Sequence, residues 1–158
     1  MEMIVAEEGR TLLDALAQFF TADEWVFHPL EGRPMLRLGF RGQNGGWQCY
    51  AQAREEQSQV IFYSVMESNV PPEKRGAVAE YLTRANYGLY IGNFEMDFSD
   101  GEVRYKTSVD VEGGYLTHQM IKTLVYVNVM MMDKYLPGIM AVVYADKSPE
   151  EAVAAIEG

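Results

Sequence analysis

The sequence is poor in the residue types that cross-link, coordinate metals or catalyse reactions. It has one cysteine, Cys49, and two histidines, His28 and His118, among 158 residues. A single cysteine cannot form an intrachain disulfide, so we expect a reducing compartment, the cytoplasm. A chain of this length buries roughly 70% of its unfolded surface on folding. We therefore expect residues 1–158 to form one domain.

Long hydrophobic runs and basic export signals are also missing. The most apolar stretch, 124–132, is interrupted by Asn128 and is far shorter than the ~20 apolar residues of a spanning helix. The chain turns acidic at Glu7 and Glu8 before any apolar run develops, unlike a secretory signal. We expect no membrane partner.

Positive charge is scarce. Thirteen basic residues face 23 acidic ones, which gives a net charge of -10. Such a surface repels phosphate backbones over distances that salt does not screen. Nucleic acid is therefore not an expected partner.

Motifs for chemistry are absent as well. A nucleophilic Cys49 would need a nearby base, and no spacing joins it to His28 or His118. Alternation of Cys49 with Trp47 and Ala51 is typical of a small core residue. No zinc, calcium-loop, P-loop or dinucleotide pattern is found. We expect no catalytic residue, no metal and no cofactor.

Four segments have the periodicity or the capping residues of helices. The first covers residues 11–21, and the second begins at Pro71 and ends near Tyr87. A long, apolar third helix begins at Thr117, and Pro137 is expected to end it. A short fourth helix is indicated by the capping residues of the segment 148–151.

Five segments are predicted strands: 36–40, 47–53, 60–66, 94–98 and 103–109. Four of them have two-residue alternation, whereas 60–66 is apolar on both sides and is expected to be central in the sheet. Turn residues separate the first two and the last two, which indicates antiparallel hairpins. The predicted fold class is α+β, with topology α-βββ-α-ββ-α. We expect two layers, a five-stranded antiparallel sheet with helices on one face.

Five motifs in the second half of the chain carry a family resemblance: EYLTRAN at 80–86, GNFEMD at 92–97, DGEVRY at 100–105, TSVDVEG at 107–113 and DKYLPG at 133–138. They resemble the YbjN-domain family, described as bacterial sensory transduction regulators. In the first half, mainly the order of elements matches. The resemblance implies a fold like that of type III secretion chaperones, with sheet order 1-2-3-5-4, frequent homodimers and no catalytic residues.

The matching residues have structural interpretations: Arg84, Asn86, Gly92, Phe94, Gly101 and Pro137. We expect Asn86 to end the second helix by adopting a left-handed conformation or by bonding free carbonyls. Gly92 and Gly101 permit turns, and Phe94 buries its ring under the second helix. Arg84 either faces the helix dipole or reaches Asp97.

The outward face of the sheet is the first candidate binding surface. The alternation gathers there three arginines and two tyrosines of interest, with Arg41 and Gln52 nearby: Arg37, Tyr50, Arg54, Tyr63 and Arg104. This surface either attracts an acidic peptide or small anion, or is a solvated face with cross-strand ion pairs.

The long helix is the second candidate surface because it is rich in methionine: Met120, Met130, Met131, Met132 and Met140. We single out Met130, Met131 and Met132 as a possible dimer or partner contact. Core packing, homodimer burial and an adaptable partner groove are all consistent with such a helix.

Two hypotheses follow. The leading one is a noncatalytic, chaperone-like module that regulates or binds another protein and forms a homodimer. The alternative is a sensor domain that binds a small anionic ligand, and it requires Arg37, Arg54 or Arg104 to converge.

Overall fold

Helices and strands are interspersed along the chain in the computed structural model, which describes residues 10–158. The helices are α1 (Leu12–Ala22), α2 (Arg75–Asn86), α3 (His118–Tyr144) and α4 (Pro149–Glu157). The strands are β1 (Phe27–Pro29), β2 (Met35–Arg41), β3 (Gly46–Arg54), β4 (Gln59–Val65), β5 (Asn93–Asp97) and β6 (Glu102–Asp110). Short 3-10 turns cover Glu55–Gln57 and Pro72–Lys74.

The strands form one antiparallel sheet in the order β1-β2-β3-β4-β6-β5. The α+β class is confirmed, but the expected count of five strands is wrong. The sixth strand, β1, pairs its three residues with Leu36–Leu38 at the outer edge of β2. It is too short and too polar to show an alternating pattern, and a proline ends it. The other five strands keep the relative order that the resemblance implied.

Helices cover one face of this sheet. Inward-pointing residues of the central strands are buried with α1 and α3 above them, including Leu38, Cys49 and Phe62. Residues that alternate with them, such as Arg37 and Gln48, are exposed. The opposite face of the sheet therefore has no helix over it among residues 10–158.

The amino end of α1 shows why the helix begins where the sequence predicts. Thr11 and Asp14 form the expected capping box. In addition, the Glu55 carboxylate accepts hydrogen bonds from the Leu12 and Leu13 amides at 2.8 and 3.0 Å. A negative group at this position also suits the helix dipole. The β3–β4 connection thus fixes α1 to the sheet.

Pro137 does not end α3, contrary to the sequence prediction. The helix continues to Tyr144 with Pro137 inside it. Proline lacks the N–H that would bond to the Asp133 carbonyl one turn earlier. The Asn44 side-chain amide donates to that carbonyl at 2.9 Å. The β2–β3 turn therefore supplies the hydrogen bond that the proline removes.

A buried asparagine attaches α3 to the sheet. Asn128 is completely buried, and its amide nitrogen donates to the Phe62 and Tyr105 carbonyls at 2.8 and 3.1 Å and to the Thr107 hydroxyl at 3.1 Å. Thr107 donates in turn to the Leu124 carbonyl at 2.8 Å. Buried polar groups are costly unless bonded, so this network fixes the position of α3 on β4 and β6.

The family-matching Asn86 has a different role from the one we expected. It neither adopts a left-handed conformation nor bonds the carbonyls of its own helix. Its side chain accepts from the Phe94 amide at 2.7 Å and donates to the Phe94 carbonyl at 3.0 Å. Asn86 thus occupies the outer edge of β5 as a neighbouring strand would.

Four of the other matching residues also lie at this end of the sheet. Phe94 is buried, with its ring edge-on to Tyr105 and Tyr135. Gly92 has a φ of 78°, and a Cβ there would lie 2.6 Å from the Lys106 carbonyl. Gly101 has a φ of 81° in the β5–β6 turn. Arg84 pairs with Glu80 at 2.8 Å, one turn earlier in α2, rather than with Asp97.

Candidate functional site

The open face of the sheet carries aromatic and cationic side chains in cross-strand rows. Arg37, Tyr50, Tyr63 and Lys106 lie opposite one another on β2, β3, β4 and β6. Arg37 is exposed, whereas the other three are partly buried by their neighbours. This row runs across the middle of the open face and combines tyrosine and arginine, the side chains most enriched at binding hot spots.

Arg104 is engaged inside the molecule. Its guanidinium pairs with Glu95 and lies 4.3 Å above the Tyr63 ring. Lys106 also contacts Glu95, at 3.1 Å. Burial would raise the pKa of Glu95, but the hydrogen bonds and charges of Lys106 and Arg104 lower it below its usual value. Arg104 therefore stabilises the β5–β6 hairpin and has little unpaired charge to offer.

Arg54 lies at another corner of the face. It donates to Gln59 at 3.1 Å, and Gln59 donates to Asp110 at 3.0 Å. Arg37 and Arg104 stand on strands β2 and β6, which are three strand spacings or about 14 Å apart. The structure does not bring Arg37, Arg54 and Arg104 together, so the convergence that the anion-sensor hypothesis requires is absent for these three.

A cleft at the β1–β2 end of the sheet gathers a different set of residues. Its volume is about 870 Å³. Cationic and polar residues of the open face line one side, including Arg37, Arg41 and His28. On the other side, Trp25 lies against Phe40 and Tyr126 with ring centroids 5.8 and 6.1 Å apart. The cleft therefore has a cationic wall and an aromatic wall, and the acidic residues Asp23 and Glu24 also line it.

Asp23 holds the aromatic wall in place. Its carboxylate accepts from the Trp25 indole at 2.9 Å and from the Tyr126 hydroxyl at 2.5 Å. Asp23 ends α1, while Tyr126 projects from α3, so the carboxylate joins two helices beside the cleft. The carboxylate of Asp23 is therefore already hydrogen-bonded to two donors within the chain.

Sequence reasoning missed the aromatic wall. Trp25, Phe40 and Tyr126 come from three separate parts of the chain, and only the short strand β1 and the turn before it bring them together. Arg41 was placed on the open face but not singled out as a binding residue. No local pattern distinguishes these residues from ordinary core aromatics and surface charges.

The three singled-out methionines have three different environments. Met132 is completely buried and belongs to the core. Met131 is partly buried against it, whereas Met130 is 61% exposed. Most of the apolar surface of α3 is therefore covered within the chain, and Met130 is the exposed member of this group.

The candidate catalytic residues are not arranged for catalysis. Cys49 is completely buried with its sulfur 3.6 Å from the Ser64 hydroxyl, and burial raises its pKa to about 12. The ring of His118 packs against Phe19 at a centroid distance of 4.8 Å. Residues 10–158 contain no cluster of three potential metal ligands. Nor do they include a helix long and apolar enough to cross a membrane.

Comparison with known proteins identifies the family. The sequence model of YbjN, described as "Putative bacterial sensory transduction regulator", matches residues 12–139. A solved structure titled "Crystal structure of YbjN, a putative transcription regulator from E. coli" superposes with a TM-score of 0.60 at 14% identity, covering 83% of this chain and 89% of that one. At this identity the likeness shows the fold alone. No curated protein matches the sequence.

Proposed function

Because the chain belongs to the YbjN family, we propose that it is a noncatalytic regulatory module that binds another protein through the open face of its sheet. The observation that carries the proposal is the row of Arg37, Tyr50 and Tyr63 on a face that no helix of residues 10–158 covers. Antiparallel sheets tolerate one solvated face, but tyrosine and arginine there are the side chains of an interface.

Charge supports a partner with acidic groups at this face. The chain has a net charge of -10, yet Arg37 and Arg41 both project from the open side of β2 and form no ion pair within residues 10–158. Unpaired arginines on an acidic protein make a local region of opposite potential, which steers a complementary partner to one patch.

Affinity capture from a lysate of the source organism tests the proposal. The immobilised wild-type chain is compared with a Tyr50→Ala/Tyr63→Ala variant. Tyr144→Ala is the matched control, because Tyr144 is a 71% exposed tyrosine at the end of α3. We expect a specific protein to be retained by the wild type and the control and lost from the double variant. Recovery of the same proteins by all three, or of none, would contradict the proposal.

A small anionic ligand is the second candidate function. It is favoured by Arg37 and Arg41 sharing one cleft with His28, where the Asp23 carboxylate is already hydrogen-bonded and Glu24 is the other acidic residue. Arg41 replaces Arg54 and Arg104 of the set first considered. Thermal-shift measurements with phosphate and with a dicarboxylate such as succinate test it. A rise in melting temperature that disappears in Arg37→Ala/Arg41→Ala would support an anion site, and no shift at millimolar ligand would remove it.

We also propose that the chain works as a homodimer in the cytoplasm and acts in a chaperone-like manner on its partner. The exposed Met130 on α3 is the point where a second copy would bury apolar surface. Light scattering at micromolar concentration should give the mass of two chains, and Met130→Glu should halve it. A mass of one chain for the wild type would contradict the dimer.

A further inference from the structure

We propose that the partner bound at the open face of the sheet places an aromatic side chain in a recess over Gly39 and Gly46. The proposal rests on the protein-binding function above and names the side-chain chemistry that this face selects. The recess exists because β2 and β3 each carry a glycine on the outward side.

The fold does not require glycine at position 39. Its φ lies outside the left-handed region that favours glycine, and a Cβ there would meet nothing within 4 Å. Glycine weakens a strand because it loses more chain freedom on folding and has no side chain to pack. A glycine inside a strand commonly marks a site where a ligand or another chain approaches closely. We therefore attribute Gly39 to binding rather than to stability.

The second glycine enlarges the recess. In the β2–β3 ladder Gly39 lies opposite Gln48, and Arg41 lies opposite Gly46. The two glycines thus belong to successive residue pairs on the same face. The recess has a volume of about 510 Å³, and its other lining residues include Arg41, Gln48, Tyr50, Val65 and Glu67. A volume of this size is typical of ligand sites and is ample for one aromatic ring.

Arginines on both sides of Gly39 suit such a ring. Arg37 and Arg41 precede and follow Gly39 by two residues, so they point to the same face with Cα atoms about 13 Å apart. Neither forms an ion pair within residues 10–158. A guanidinium attracts the negative face of an aromatic ring. A ring over Gly39 would therefore lie between two cations that the fold leaves available.

Apolar side chains border the recess as well. Val26, just before β1, lines the neighbouring cleft with Gly39 and is 76% exposed. Tyr50 and Val65 line the recess from β3 and β4 and are partly buried. An incoming ring would cover this apolar surface, and its burial would contribute to binding.

The carboxylates nearby favour a neutral ring over a small anion in the recess. Asp23 and Glu24 line the neighbouring cleft, and Glu67 lines the recess itself. The Asp23 carboxylate is hydrogen-bonded to Trp25 and Tyr126. Mixed charge of this kind weakens the attraction of a free anion from a distance. The contact between a ring and a guanidinium, in contrast, acts within about 6 Å.

An NMR titration of the wild-type chain tests the proposal. The probe is acetyl-Gly-Trp-Gly-amide, and the control peptide has Leu in place of Trp. The probe should shift the Gly39 Hα protons upfield to a saturating value, because a ring stacked over them shields them. The Leu peptide should bind about threefold or more weaker and give no upfield shift. Equal effects of the two peptides, or no saturating shift at millimolar probe, would overturn the proposal.

Filling the recess gives a matched pair of variants. Gly39→Val places a side chain where the ring would lie, and valine favours strands. Ser108→Val is the control, because Ser108 is an exposed residue of β6 on the same face. Gly39→Val should weaken probe binding by about tenfold or more, whereas Ser108→Val should bind as the wild type does. Equal binding by the two variants would contradict the proposal.

A second copy of the chain is the alternative occupant of the recess. Dilution of the wild type without peptide distinguishes it from a different protein. The Gly39 Hα resonances should stay constant on dilution. If they move, a second copy occupies the recess and the proposal of an aromatic side chain from another protein is wrong.

The lysate capture separates this inference from the proposed function. If Gly39→Val retains the protein that Tyr50→Ala/Tyr63→Ala loses, the open face binds protein and the recess proposal is wrong. Loss of that protein from Gly39→Val but not from Ser108→Val, together with probe binding, supports both proposals. If no chain retains a specific protein, the proposed function is wrong, and the NMR titration decides whether the recess binds an aromatic ring.

Discussion

The two edges of the sheet differ in how their backbone groups are satisfied. At β5, Asn86 bonds both the N–H and the C=O of Phe94. At the other edge, the three-residue strand β1 pairs with Leu36–Leu38 of β2, and the segment 23–26 lines a cleft beside Gly39–Arg41. Buried or edge polar groups are usually satisfied or protected. The comparison teaches that a hydrogen-bonded side chain closes the β5 end of the sheet, whereas the β1–β2 end contains an open cleft.

Four of the residues that match the family lie at the β5 end of the sheet and not at the β1–β2 end. Asn86, Gly92, Phe94 and Gly101 all lie around β5 and β6, and each makes a contact that builds this end of the fold. Apart from Tyr126, the residues that line the cleft belong to the first half of the chain, where mainly the order of elements matches. None of the six family-matching residues lines the cleft.

The largest expected difference in stability is between two glycine-to-alanine variants, Gly138→Ala near the β5 end and Gly39→Ala at the β2 end. A Cβ at Gly138 would lie far inside van der Waals contact with the Tyr81 hydroxyl, which donates to the Tyr135 carbonyl at 2.8 Å. Gly138→Ala should lower the free energy of unfolding by about 2–4 kcal/mol, because overpacking displaces a bonded buried ring. Gly39→Ala should leave stability unchanged or slightly raised. Urea denaturation measures both.

Similar losses for the two glycine variants would mean that the ends do not differ in packing. Tyr81→Phe in the Gly138→Ala background provides a further check. Removing the hydroxyl takes away the atom nearest to the new methyl group, so part of the lost stability should return.

The second largest effect is expected at alkaline pH, which should lower the stability contributed by the buried tyrosines at the β5 end. Burial raises the pKa of Tyr105 from 10.0 to about 12, and it also raises the pKa of Tyr81 and Tyr135. A raised tyrosine pKa means that folding favours the neutral phenol. Its stabilisation is complete below pH 10 and is lost as pH rises through the folded pKa.

For Tyr105 the full loss amounts to about 3 kcal/mol. Urea denaturation at pH 8, 10 and 11 should therefore show stability falling above pH 10, and less steeply in Tyr105→Phe. A flat profile up to pH 11 would contradict buried phenols at this end.

Removing the Asn86 side chain should open the edge of β5. Asn86→Ala leaves the Phe94 N–H and C=O without their partner and should cost about 1–3 kcal/mol. Asn69→Ala is the control, because Asn69 is an exposed loop asparagine. Stability is measured by urea denaturation, and exchange of the Phe94 amide should become faster in Asn86→Ala only. Equal stability of the two variants would show that Asn86 does not close the edge.

A smaller effect is expected where the β2–β3 turn supports α3. Asn44→Ala removes the donor to the Asp133 carbonyl and should cost about 0.5–1 kcal/mol. In a Pro137→Ala background the helix regains its own N–H donor, so the same substitution should cost less. A double-mutant cycle of unfolding free energies measures the coupling. An identical cost in both backgrounds would mean that Asn44 does not compensate for the proline.

These contacts also explain what the sequence could and could not predict. Alternation, the apolar run at 60–66 and capping signals located five strands and the start of α1, because each depends on neighbours along the chain. The passage of α3 through Pro137 depends on Asn44, 89 residues from Asp133, and the role of Asn86 depends on the position of β5. The strand β1 has three residues, too few for a period. Local sequence patterns do not indicate contacts between residues that are so far apart in the chain.

The smallest expected effect on stability is at the arginines of the cleft. Arg37 and Arg41 form no ion pair within residues 10–158, so Arg37→Ala and Arg41→Ala should each change the free energy of unfolding by less than about 0.5 kcal/mol. Arg104→Ala should cost more, because it leaves Glu95 with one cationic partner and uncovers the Tyr63 ring. Urea denaturation of the three variants gives the comparison. A loss above 1 kcal/mol for Arg37→Ala or Arg41→Ala would show that these arginines stabilise the fold, and it would contradict their proposed role in binding a partner.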